Sequence, residues 1–127
     1  MELTREQAIT EHRKMWRWVA EQYKNECNID PYQLKKIYLL KNGYDDSFLI
    51  QSRCFLCEYV RELRYGGCNS CPLIWGIAEN CMETSDGHGG LYRQLIDCYY
   101  FNHDIKKCAQ LARQIAELPE KPIRYTL

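Results

Sequence analysis

The chain has 127 residues, 46% of them hydrophobic and 13% aromatic, with few glycines and prolines, which suits one domain with a real core and excludes a disordered tract. Seventeen basic residues balance seventeen acidic ones with the signs interspersed, so the broad cationic surface that DNA, RNA or an anionic membrane requires is missing. No run of about eighteen apolar residues occurs, and no apolar stretch follows a basic start, which argues against a membrane span or a signal peptide and points to the cytoplasm.

Residues 1–43 read as two helices. Thr4 and Gln7 form a capping box, and Ala8, Ile9, His12, Met15, Trp16, Val19 and Tyr23 recur at three- and four-residue steps over roughly six turns. His12 lies on that stripe and reads as a hydrogen-bonded core residue. Asp30-Pro31 starts a second helix, with Gln33 at its third position; Leu34, Ile37, Tyr38, Leu39 and Leu40 form the expected buried side, and Asn42-Gly43 stops it.

Regular structure weakens over residues 44–90. Glu58 to Tyr65 can form a short helix, Leu73 to Ile77 is apolar enough to act as a lid, and Thr84 to Gly90 has the composition of a mobile surface loop. Over residues 91–118 two amphipathic helices return, marked by Leu91, Tyr92, Leu95, Ile96 and Tyr99, and then by Ile105, Cys108, Leu111, Ala112 and Ile115. A break near Asn102 lets them pair as a hairpin. The tail, 119–127, is expected to run extended or to fray. The fold class is therefore mostly α, a helical bundle-like domain built around a zinc-stapled, loop-rich central insert.

Eight cysteines in a reducing compartment serve as thiols or metal ligands, not as four disulfides. Cys54 and Cys57 make one Cys-x-x-Cys pair, Cys68 and Cys71 a second, ten residues apart. Such spacing converges four thiolates on one Zn²⁺ in a tetrahedron. A short helix after Cys57 would favour the charged thiolates, and Gly66-Gly67 permits the return of the second pair. Cys81 and His88 are the residues that can replace one of these ligands, and spacing alone leaves an iron–sulfur cluster open. Cys27, Cys98 and Cys108 read as small buried hydrophobes.

Catalytic readings fail on motif content. A nucleobase deaminase needs His-x-Glu before Pro-Cys-x-x-Cys, whereas Pro72 follows its cysteine pair and no histidine has glutamate two residues on. Four thiolates close the coordination shell that a zinc hydrolase leaves open. Cys54 to Cys57 lies in no βαβ pattern of the thioredoxin type. No serine stands in a glycine elbow, and the glycines at 87, 89 and 90 precede no P-loop lysine.

The run Cys54-Phe55-Leu56-Cys57-Glu58-Tyr59, then Cys68-x-x-Cys71-Pro72-Leu73, Cys81, Gly90-Leu91-Tyr92 and Leu111 to Pro119 resembles a set of small, mostly uncharacterised proteins encoded by bacteriophages and prophages; Met1 to Val19 is similar to theirs as well. The resemblance implies a phage accessory protein with a cysteine-bound metal, made in the bacterial cytoplasm. It supplies no reaction. Two functions are consistent with it: a non-enzymatic protein that binds a host or phage protein, inhibiting a defence enzyme or another host factor, or a zinc-finger-type nucleic-acid-binding or regulatory protein using Arg53, Arg61 and Arg64. The charge balance favours the first, and Trp18, off the main stripe of its helix, is the expected partner-binding residue.

Overall fold

The computed structural model describes residues 3–44, 55–56, 59, 71–74 and 90–121. Most of them are helical, in α1 (Arg5–Lys24), α2 (Pro31–Lys41), α3 (Leu91–Asp97) and α4 (Ile105–Ala116), with a π-helical turn, Cys98–Asn102, between the last two. Among the described residues no strand occurs, and no helix is long and apolar enough to cross a membrane.

Each long helix begins where its cap dictates. Thr4 Oγ1 accepts from the Gln7 amide at 3.1 Å while Gln7 Oε1 accepts from the Thr4 amide at 2.9 Å, so two backbone donors left over at the start of α1 are satisfied. Asp30 does the same for Gln33 at the start of α2, and Asp104 for Lys107 at the start of α4. Gly43, at φ +83°, takes the left-handed conformation that ends α2.

The expected stripe of α1 is the observed one. Ala8, Ile9, His12, Met15, Trp16, Val19 and Tyr23 are all buried, joined by Ala20. They pack chiefly on α4, which contributes Cys108, Leu111, Ala112, Ile115 and Ala116. α3 folds back on α4 as a hairpin, and α2 lies against α1. Each fully buried aliphatic side chain on this seam contributes about 1.5–3 kcal/mol by leaving water.

α2 corrects the reading of its buried side. Leu40 is 51% exposed and Ile37 only half-buried, while Lys35 is buried. The helical period places Pro31, Leu34, Lys35, Tyr38 and Leu39 on one face, and Leu40 is carried round to solvent. Lys35 is admitted because aromatic rings from α1 and α3 receive its ammonium group.

A non-local contact ties down the start of the tail. Leu73 and Glu120 form an antiparallel bridge, the Ile74 amide donates to the Pro119 carbonyl at 2.8 Å, and the Lys121 amide donates to the Pro72 carbonyl at 2.7 Å. α1 grips the other side of that segment. Arg13 donates to the Leu118 carbonyl at 2.9 Å, and Arg5 to the Lys121 carbonyl and the Glu120 carboxylate. The tail thus runs extended through Lys121.

Candidate functional site

Of the four expected metal ligands, Cys71 lies among the described residues, half-buried against the core; Cys54, Cys57 and Cys68 lie outside them, as do Cys81, His88, Arg53, Arg61, Arg64, the 84–89 part of the expected loop and most of the expected 58–65 helix. Among the described residues no group of three or more His, Cys, Asp or Glu is placed to hold a metal ion. The neighbours of the cysteine pairs are informative. Phe55 and Leu56, the two residues between Cys54 and Cys57, are 0% and 1% exposed, and Leu73, two residues after Cys71, is 0% exposed. Phe55, Leu56 and Leu73 therefore belong to one hydrophobic core, with Cys71 packed against it. Phe55 meets the Tyr44 ring edge-on at 5.0 Å, and the Tyr44 hydroxyl donates to Glu11 of α1 at 3.3 Å; burial and that carboxylate push the phenol up to about 12. On the other side the tail pairing holds Pro72 and Ile74.

Trp18 is half-buried. Its ring sits 5.7 Å from that of Tyr38, and the Lys41 ammonium lies 5.7 Å from its centroid, so α2 covers part of the side chain read as a partner contact.

Sequence reasoning passed over two other clusters. The first is buried. Lys35 Nζ lies 4.6 Å from the centroid of Tyr92 and 5.9 Å from that of Trp16, and donates to the Tyr92 hydroxyl at 3.3 Å. Trp16 meets Tyr92 edge-on, and Tyr32 covers Tyr92 from outside at 5.9 Å, also edge-on. A desolvated cation on such ring faces gains about 2 kcal/mol, which helps offset the cost of burying it. His12 is fully buried next to Trp16, and its Nε2 is 3.0 Å from the Ile115 carbonyl. A carbonyl only accepts, so Nε2 carries the proton. Burial lowers its pKa to about 4, assisted by the positive charges of Lys35 and Arg13 and opposed by the Ile115 bond. The imidazole is neutral at pH 7 and locks α1 to the end of α4. Sealed from water, it serves packing.

The second cluster faces solvent. Phe101 is 82% exposed, Tyr100 53%, Tyr32 38% and Ile29 37%. The π-helical turn brings the first two beside the start of α2: the Tyr99 hydroxyl donates to Asn28 at 3.1 Å, and the Tyr100 phenol lies close enough to the Asp30 carboxylate to feel its charge. Desolvation first, and then Asp30, raises the Tyr100 pKa, so both hydroxyls stay protonated donors at neutral pH. Tyr99 is wedged between the Tyr100 and His103 rings, each at 5.1 Å, and leans on Tyr23. His103 closes the turn at φ +49° with Nδ1 3.1 Å from the Tyr99 carbonyl. The outcome is a braced base carrying outward-facing rings.

The chain matches no protein-family model, and no curated protein or solved structure is significantly similar to it.

Proposed function

We propose that this chain is a non-enzymatic phage accessory protein that acts in the bacterial cytoplasm by binding a host or phage protein, in the manner of an inhibitor of a defence enzyme or other host factor. The observation that carries the reading is the exposure of Phe101 and Tyr100 on a turn braced by the Tyr99 hydrogen bond to Asn28. Large aromatic side chains held out of the core lose little further freedom on binding and are the preferred anchors of protein interfaces. Trp18 supplies a second, partly covered contact.

In this reading one Zn²⁺ is held by Cys54, Cys57, Cys68 and Cys71, and it is structural. The donor set supports it, since four thiolates suit tetrahedral zinc, and so does the burial of Phe55, Leu56 and Leu73 beside the two cysteine blocks. When bound, the ion fastens the segment between α2 and α3 to a core the flanking residues already join. Elemental analysis of the purified chain is expected to return one zinc per molecule. Chelation is expected to raise hydrogen exchange at the Phe55, Leu56 and Leu73 amides by about tenfold or more; unchanged exchange and no metal would remove the ion from the account.

The binding role is tested by affinity capture from a bacterial lysate with wild type and the double variant Tyr100→Ala, Phe101→Ala. A discrete partner held by wild type and lost by the variant, with circular dichroism unchanged, supports the reading. Equal capture by both moves the interface elsewhere.

A further inference from the structure

Cys98 and Cys108 flank the turn that carries the exposed rings. Both are unbonded thiols, 2% and 0% exposed, and both belong to the core. One carbonyl, that of Asp104, accepts from both residues: the Cys98 thiol donates to it at 3.5 Å and the Cys108 amide at 2.9 Å. The shared carbonyl brings the two residues together, and the Cys98 thiol is the neighbour whose charge acts most strongly on the Cys108 thiol. Two thiols are thus held side by side across the mouth of the α3–α4 hairpin, with Tyr99 to Lys107 looped between them. Among the described residues no third sulfur, imidazole or carboxylate joins them in a metal-binding group. Burial, and then the charge of the neighbouring Cys98, pushes the Cys108 thiol up to about 12, which keeps it protonated at rest.

We propose that Cys98 and Cys108 form a reversible redox dithiol that closes to an intramolecular disulfide and clamps the π-helical turn. With hydrogen peroxide as oxidant, the Cys98 sulfur attacks one peroxide oxygen, the O–O bond breaks, and the leaving hydroxide takes a proton to become water; Cys98 is then a sulfenic acid. The Cys108 sulfur attacks the Cys98 sulfur, the S–OH bond breaks, and the departing hydroxide takes the Cys108 proton as a second water. The two sulfurs together lose two electrons and the peroxide gains them. A dithiol reductant such as dithiothreitol reverses the change. Because the thiols are buried, reaction passes through opening of the hairpin and is slow compared with that of an exposed thiolate. The chemistry stands independently of any partner; only its consequence, that closure stiffens the base under Tyr100 and Phe101 and so regulates binding there, rests on the function proposed above.

The test uses the full-length chain in native buffer, oxidised with hydrogen peroxide, blocked with iodoacetamide and digested with trypsin. The expected product is the peptide Gln94–Lys106 joined to the peptide bearing Cys108, two mass units lighter than the sum of the reduced pair and separated by dithiothreitol. Alkylation of both cysteines after oxidation, or pairing of Cys98 with Cys27, overturns the proposal. A second measurement needs no variant that has to fold: chymotrypsin cleavage after Tyr100 and Phe101 is expected to slow about tenfold in the oxidised chain. A cross-linked chain cleaved at the unoxidised rate overturns the clamp. If the disulfide forms and the clamp holds while Tyr100→Ala, Phe101→Ala leaves partner capture intact, the dithiol stands and the binding surface falls.

Discussion

Along the seam between α1 and α4, Met15, Val19, Leu111 and Ile115 are no more than 6% exposed, whereas at Tyr100 and Phe101, just beyond α3, exposure rises to 53% and 82%. Both regions are rich in large apolar groups. On the seam the helical period turns every such group toward a partner helix, and the buried area stabilises the fold. At the turn the π-helical geometry rotates successive rings outward, and their area is left available for another surface. In the proposed reading stability and binding belong to different parts of this small chain, and substitutions can separate them.

The largest expected effect is on the seam. Ile115→Ala removes a side chain with 0% exposure and is expected to cost about 3 kcal/mol in urea unfolding while leaving partner capture by the surviving folded fraction intact. A cost below about 1 kcal/mol would mean the seam is loosely packed and the comparison is wrong. Next is the buried histidine in the same seam. His12 has a folded pKa near 4 against 6.5 when unfolded, so the unfolded chain takes up the proton first as pH falls. Its contribution is complete above pH 6.5 and drains away toward pH 4, to a total of up to about 3 kcal/mol. The stability advantage of wild type over His12→Gln should shrink across that window; an advantage that is flat or grows would contradict the assignment.

Asp30 serves the fold and adjoins the turn: its carboxylate caps α2, and its charge acts on the Tyr100 phenol. Asp30→Ala is expected to cost about 1 kcal/mol through the lost cap and also to weaken binding. The smallest stability effect belongs to Phe101→Ala, within about 0.5 kcal/mol of wild type, because a ring that is 82% exposed has little to lose. A cost of 2 kcal/mol there would show the ring to be structural.

How much of this was readable varied with the range of the forces involved. α1 was legible residue by residue, since its cap is local and its partners need only an apolar stripe. The buried faces of Cys98 and Cys108 followed from the same period. Lys35 was not legible, because what admits a cation to the core is a pair of rings on α1 and α3, far away in the chain. The pairing of Pro72–Ile74 with Pro119–Lys121 was equally hidden: it rests on backbone bonds between segments some 47 residues apart, together with Arg5 and Arg13. Tyr100 and Phe101 were missed for a third reason. A period of 3.6 continued through residue 99 says nothing of the wider turn that follows it. The tripeptide Tyr99-Tyr100-Phe101, three large rings where one helical face can hide at most two, was the available signal.

The most direct measurement replaces Phe101 with a photoreactive benzoylphenylalanine in the full chain, irradiates living bacterial cells that express it, and compares the products with those from the same group at the exposed Gln110 on α4. A discrete adduct to one protein from position 101, absent from position 110, is the predicted result. No adduct from position 101, or the same adducts from both, would contradict the claim that this turn is where the protein meets its partner.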